Sequence, residues 1–270
     1  MSSSATGDRQ PILAAAGLAK SFAGLLALQD FSLTVPPGEI VGLIGPNGAG
    51  KTTCFNVITG FLVPTAGQIQ FRGEDVTGLQ PAQTARLGMA RTFQNIRLFG
   101  SLTVLENVQV AAQLHQRARL VPTLLGLPSF HKAETLARRQ AAEILDLLGL
   151  QAFGPQAAGS LPYGLQRRLE IARALATDPK LILLDEPTAG MNPQETQQAM
   201  DLIFKIRDMG LAVVVIEHDM RFIFQLCDRV LCLVRGEALI WGTPGEVQSD
   251  PRVIEAYIGG SELEDDEDDA

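Results

Sequence analysis

The stretch Gly45-Pro46-Asn47-Gly48-Ala49-Gly50-Lys51-Thr52 constrains this chain more than any other. It satisfies every fixed position of the pattern G-x-x-x-x-G-K-[ST]. An apolar run, Ile40-Val41-Gly42-Leu43-Ile44, precedes it, and a helix-like run from Thr53 to Thr59 follows. That order predicts strand, loop and helix. Glycine lacks the Cβ that would block a tight turn, so the backbone can curl round a phosphate chain and aim N–H groups inward. The helix N-terminus adds partial positive charge. Lys51 is suited to the β- and γ-phosphates, and the Thr52 hydroxyl to Mg2+.

The chain's 270 residues allow one large domain or two smaller ones. The longest apolar stretches, 181–184 and 211–216, are far too short to cross a bilayer. Residues 1–10 lack the apolar core of a signal peptide. The formal charge is −8, but residues 261–270 hold seven acids and no base, leaving 23 acids against 22 bases elsewhere. A near-neutral body argues against a nucleic-acid partner. The acidic stretch 261–270 and the N-terminus 1–10 read as disordered. Cys54, Cys227 and Cys232 form no C-x-x-C pair, which fits a reduced cytosolic compartment. The three histidines lack the spacing of a zinc site.

Strands alternate with helical patterns, which predicts an α/β fold with a mainly parallel sheet. Short apolar blocks over 11–44 read as strands, as do 68–71, 88–93, 181–184 and 211–216. Residues 229–234 and 238–241 read as a hairpin. From 95 to 175 the pattern turns helical. Thr103 and Glu106 form a capping box for a helix running to about Arg117. Val121–Ser129 reads as a loop, and Leu136, Ile144, Leu145 and Leu148 recur at helical spacing. Asn192, Pro193 and Glu195 open another helix, and Thr243 and Glu246 cap a last one. These signals divide the chain into an α/β core (11–94 and 176–241), a helical insert (95–175) and a C-terminal helical segment (242–260).

Two further strands end in clustered polar groups. Leu181–Leu184 leads into Asp185 and Glu186, and 212–216 into Glu217, His218 and Asp219. The C-terminal ends of parallel strands are where open α/β sheets place ligands. There Asp185 suits Mg2+, and Glu186 suits the γ-phosphate and an attacking water. His218 reads as structural or as a γ-phosphate contact, and the parallel with 185–186 favours the contact. Gln94 closes the 88–93 run, within reach of metal or water. Phe22 fits a purine stack or the core equally well.

Together these pieces resemble the nucleotide-binding subunit of ATP-binding-cassette (ABC) transporters, over about residues 11–258. Gly45–Thr52 matches the Walker A motif, and 181–186 the Walker B motif with its glutamate. Gln94 in Arg91-Thr92-Phe93-Gln94 matches the Q-loop, and His218 the switch histidine. Leu161-Pro162-Tyr163-Gly164-Leu165 occupies the signature position, with Glu170-Ile171-Ala172-Arg173 behind it. The resemblance implies a RecA-like P-loop NTPase core with an N-terminal antiparallel β subdomain and an inserted helical subdomain. It also implies ATP held by Phe22, Asn47, Gly48, Ala49, Gly50, Lys51, Thr52 and Thr53, with Tyr163 and Gly164 facing a nucleotide on a second cassette. Mg2+ would sit on Thr52, Gln94 and Asp185, with Glu186, His218 and Lys51 as catalytic groups.

Within the family, Arg91–Phe99, Ala189–Pro193 and Ile216–Met220 are similar to the LivG-type ATPases of branched-chain amino-acid uptake systems. The broken segment 119–132 resembles an insertion found in that group. Implied partners are transmembrane permease subunits, a second ATPase in a homo- or heterodimer, and indirectly a periplasmic or extracellular solute-binding protein. The implied place is the cytoplasmic face of the plasma (inner) membrane. Ile96, Leu98 and Phe99 read as permease contacts or as core. Other readings are a cassette for urea or lipopolysaccharide, a soluble non-transport cassette protein, and a small-molecule P-loop kinase. The signature departs from Leu-Ser-Gly-Gly-Gln: Pro162 replaces Ser and Leu165 replaces Gln. Asn192 stands where Asp is usual.

Overall fold

Partly alternating apolar and polar residues over 13–35 build an antiparallel hairpin with several register shifts. The computed structural model describes residues 10–114 and 128–264, excepting the side chains at 128–133 and 258–264. The chain divides into two compact units, Met1–Pro81 with Ile206–Ala270, and Ala82–Lys205.

In the first unit, β1 (Leu13–Phe22) pairs antiparallel with β2 (Leu25–Val35) and with β4 (Ala66–Phe71), and β5 (Glu74–Asp75) closes the row. Leu13, Leu18, Leu28 and Phe31 turn inward and are fully buried. This is the antiparallel part that the resemblance implied. The second sheet of the unit runs parallel through β3 (Ile40–Ile44), flanked by β8 (Ala212–Ile216) and β9 (Arg229–Val234), with β10 (Glu237–Gly242) antiparallel on β9. Every residue of β3 and β8 is buried, which is why both read as continuous apolar runs. Helix α1 (Lys51–Ile58) starts two residues before the expected Thr53, because Lys51 itself lies in the first turn.

In the second unit, α2 (Pro81–Leu87) leads to β6 (Met89–Arg91), which pairs parallel with β7 (Leu181–Asp185). β6 is shorter than the predicted 88–93, although the Thr92 N–H still reaches the Leu183 carbonyl at 2.9 Å. Helix α3 (Val104–Ala112) carries the expected capping box from Thr103 and ends well before Arg117, with Gln113 as its C-cap. Helix α4 (Pro128–Leu147) begins inside the segment expected to be loop, since proline is tolerated in a first helical turn. The rest of that segment, and the acidic stretch from 265 on, lie outside the described residues. Leu145 and Leu148 are buried as their spacing implies, but Leu136 is 54% exposed, and Ala137 and Ala141 fill the inward face in its place.

Helix α5 (Tyr163–Ala176) starts at Tyr163, with Pro162 in extended geometry before it, and α6 (Pro193–Asp208) follows. Back in the first unit come α7 (Met220–Leu226), α8 (Pro244–Ser249) and α9 (Pro251–Glu264). Helix α8 has the predicted Thr243–Glu246 capping box, and α9 carries helix into the first residues of the acidic stretch. All three cysteines are free and buried.

Candidate functional site

The phosphate loop is held by its neighbours in the first unit as much as by its own glycines. Gly45 takes φ +151°, and a Cβ there would sit 2.0 Å from the Leu233 carbonyl oxygen. The Gly45 N–H donates to the Tyr257 hydroxyl at 2.7 Å. The Gly236 N–H, in the β9–β10 turn, donates to the Ala49 carbonyl at 2.9 Å. Burial pushes the Tyr257 phenol up from its ordinary value, with the Cys232 thiol close by adding to the rise. Lys51 is buried, and its ammonium donates to the carbonyls of Gly45 (2.6 Å) and Pro46 (3.0 Å). The first intrahelical bond of α1 is Cys54 N–H to the Gly50 carbonyl at 2.8 Å, so the amides of Lys51, Thr52 and Thr53 form the positive mouth of the helix. Asn47, Gly48 and Thr52 are exposed there, and Ala49 is buried behind them.

Phe22 ends β1, 42% exposed, with the Lys20 ammonium 5.1 Å from its ring centroid. It is a surface ring and not a core residue. His218 is exposed directly after β8 and ahead of the Asp219 N-cap of α7; its backbone N–H donates to the Glu217 carboxylate at 3.1 Å.

The second unit brings several predicted residues together. Gln94 donates its side-chain amide to the Glu186 carboxylate at 2.9 Å. Glu186 adopts φ +48°, a left-handed backbone that non-glycine residues keep at about 1–3 kcal/mol of strain, and such strain concentrates at functional positions. Asp185 is buried, and its carboxylate accepts from Arg91 at 2.9 Å while its N–H donates to the Thr92 hydroxyl at 3.2 Å. The Arg91–Asp185 pair has no local sequence signal, since the two residues lie 94 positions apart. Two buried opposite charges 2.9 Å apart fix the carboxylate's orientation.

Tyr163 and Gly164 open α5. The Tyr163 ring lies against Gly190, where a Cβ would come within 3.3 Å of it, and Gly164 faces Glu195, whose carboxylate would sit 2.8 Å from a Cβ. Asn192 caps α6 as predicted: its side-chain oxygen accepts from the amides of Gln194 and Glu195, each at 3.0 Å, and Glu195 accepts from the Asn192 N–H at 3.0 Å. Ile96 and Leu98 are half-buried and Phe99 is exposed, so this group is not core. Sequence reading also missed Arg167, Glu170 and Tyr257 as members of the site. The one local sign was the three-residue spacing of the Arg–Glu pair on a helix.

A family model described as ABC transporter matches residues 28–189, and one described as branched-chain amino acid ATP-binding cassette transporter matches residues 242–262. The chain is 45% identical over 251 residues to the high-affinity branched-chain amino acid transport ATP-binding protein LivG of Escherichia coli strain K12, covering 93% of this chain and 98% of that one. It is 44% identical, with the same coverage, to BraF of Pseudomonas aeruginosa, which bears the same description. Among solved structures it is similar to the ADP conformation of MJ1267, an ATP-binding cassette of an ABC transporter, with TM-score 0.81 and 33% identity over 93% of this chain and 99% of that one. A dimeric post-hydrolysis state of the cassette MJ0796, bound to ADP and Pi, gives TM-score 0.72 and 26% identity over 86% and 98%. With a phosphate loop, a strand-end carboxylate pair and these relatives, the chain belongs to the ABC transporter family as an ATP-binding, ATP-hydrolysing cassette.

Proposed function

We propose that this cassette powers a branched-chain amino-acid uptake transporter from the cytoplasmic face of the plasma (inner) membrane. One observation carries the site reading: the Gln94 amide meets the carboxylate of Glu186, held in left-handed backbone at the end of β7. That contact aims a general base and its amide partner at one point, where a water would be oriented for attack. The cargo reading rests on the similarity to LivG and BraF across almost the whole chain.

Lys51 and the amides of 47–53 hold the β- and γ-phosphates, His218 contacts the γ-phosphate, and Phe22 stacks on adenine. The Thr52 hydroxyl, the Asp185 carboxylate and the Gln94 amide oxygen are hard oxygen donors that fit Mg2+. The ion, when bound, neutralises phosphate charge. Tyr163 and Gly164 face the nucleotide of a second cassette, in a homo- or heterodimer. Among the described residues no helix is long and apolar enough to cross a membrane; in this reading permease subunits hold the cassette at the membrane. The half-exposed group Ile96, Leu98 and Phe99 offers them a contact, and a solute-binding protein delivers cargo from outside.

The test is reconstitution in proteoliposomes with the neighbouring permease chains and solute-binding protein. Leucine-loaded binding protein should stimulate ATP hydrolysis and drive leucine uptake. Both should vanish in Glu186→Gln while nucleotide binding persists. Similarity to the lipopolysaccharide export protein LptB of Haemophilus influenzae, at 36% identity over 92% of this chain, supports the second reading. Stimulation by lipopolysaccharide and none by leucine would select it.

A further inference from the structure

Helix α5 carries Arg167, Glu170 and Arg173 at a spacing of three, along the side that meets segment 93–99. Arg167 and Glu170 are only 3% and 6% exposed. Charges so deeply placed require partners. One Arg167 nitrogen donates to the Phe93 carbonyl at 2.6 Å and to the Glu170 carboxylate at 3.2 Å, and the other donates to the Gln94 carbonyl. The second Glu170 oxygen accepts from the Phe93 N–H at 3.4 Å. Burial raises the Glu170 carboxyl above its ordinary value, and the Arg167 charge opposes the rise. One turn on, Arg173 donates to the Arg97 carbonyl and lies 4.8 Å from the Phe99 ring centroid.

Gln94 is thus gripped at both ends. Its carbonyl is held by Arg167, and its side-chain amide meets Glu186 at 2.9 Å. We infer that Arg167, braced by Glu170, is a positioning residue that fixes the Gln94 backbone so that the side-chain amide points at Glu186. A planar guanidinium holds two successive carbonyls in a fixed fork, which sets the peptide orientation; an ammonium is a point charge and cannot. An apolar face on α5 would cover the strand end without orienting it. Because α5 opens at Tyr163, one turn before Arg167, the signature segment and Gln94 belong to one hydrogen-bonded body. Any displacement of the signature therefore reaches the water-orienting pair through two side-chain bonds.

This inference rests on the roles proposed for Gln94 and Glu186, and the test separates the two. In the complete transporter, Arg167→Lys should lower kcat for ATP hydrolysis about 10- to 100-fold, the scale of a misplaced reacting group. KM for Mg-ATP should stay within about twofold, since the phosphate loop is untouched. In a Gln94→Ala background, Arg167→Lys should lower kcat no further. An additive loss, an equal effect on KM, or an unchanged kcat in folded Arg167→Lys would overturn the inference. A Gln94→Ala enzyme hydrolysing at the wild-type rate would instead remove the role proposed for Gln94. Glu170→Gln, nearly isosteric, serves if Arg167→Lys does not fold: it should show the same non-additivity with Gln94→Ala, and additivity there overturns the proposal as well.

Discussion

In the proposed dimer, Pro162 takes the place of the signature serine whose hydroxyl would meet the γ-phosphate of the opposite cassette. It lies in extended geometry (φ −52°, ψ 150°) just ahead of α5, with no side-chain cap bond. Serine adopts that backbone without native-state strain, so Pro162→Ser restores a donor at the cost of only about 0.4–1 kcal/mol of unfolded-chain entropy. A hydrogen bond to a charged group contributes about 1.5–3 kcal/mol. Turnover in the assembled complex should therefore change by about tenfold or more, in the accelerating direction, measured as phosphate release. Unaltered turnover and nucleotide affinity would discard the idea. Arg91 makes a related point. Replacing it with Met leaves Asp185 buried without its 2.9 Å partner. Removing one member of a buried pair costs about 3–5 kcal/mol, so thermal unfolding should come markedly earlier than in the parent.

Among the described residues, the C-terminal helix α9 bears on the phosphate loop through a bond from the Gly45 N–H to the Tyr257 hydroxyl. Tyr257→Phe keeps the ring and leaves that amide without its acceptor, a loss of about 1–3 kcal/mol. Urea unfolding should report it as a lower midpoint with an unchanged slope. Phe99, exposed and stacked under Arg173, belongs to a surface and not a core. Phe99→Asp should therefore leave ATP binding intact and uncouple hydrolysis from uptake; a failure to fold would contradict its exposed position. The elements legible in the sequence are those specified locally. The capping boxes at Thr103 and Thr243, the Asn192 cap, the apolar strands β3 and β8 and the apolar run 181–184 of β7 carry their instructions within a few residues. The inward face of α4 was legible only at its C-terminal end, where Leu145 is buried. Earlier in the helix Ala137 and Ala141 are buried while Leu136 is exposed, a choice made by how closely α4 packs on its neighbours and not by hydrophobicity alone. The clamp of Arg167 on residues 93 and 94 was hidden for the same reason, since it joins positions some 70 residues apart.

At the scale of the whole molecule, nucleotide and folding are linked. A ligand that binds only the folded chain stabilises it by about 2.7 kcal/mol at a hundred times its Kd. Mg-ATP should raise the melting temperature of Glu186→Gln, and EDTA should abolish hydrolysis by the parent while leaving its far-UV circular dichroism unchanged. Lys51→Ala should cancel the thermal shift, yet that variant loses two things at once. The Lys51 ammonium ties down the carbonyls of Gly45 and Pro46. A phosphate that draws the lysine outward competes with those internal ties, so measured affinity is the difference between two sets of bonds. Deleting the side chain also unbuckles the loop, and its melting point without nucleotide should already lie below that of the parent.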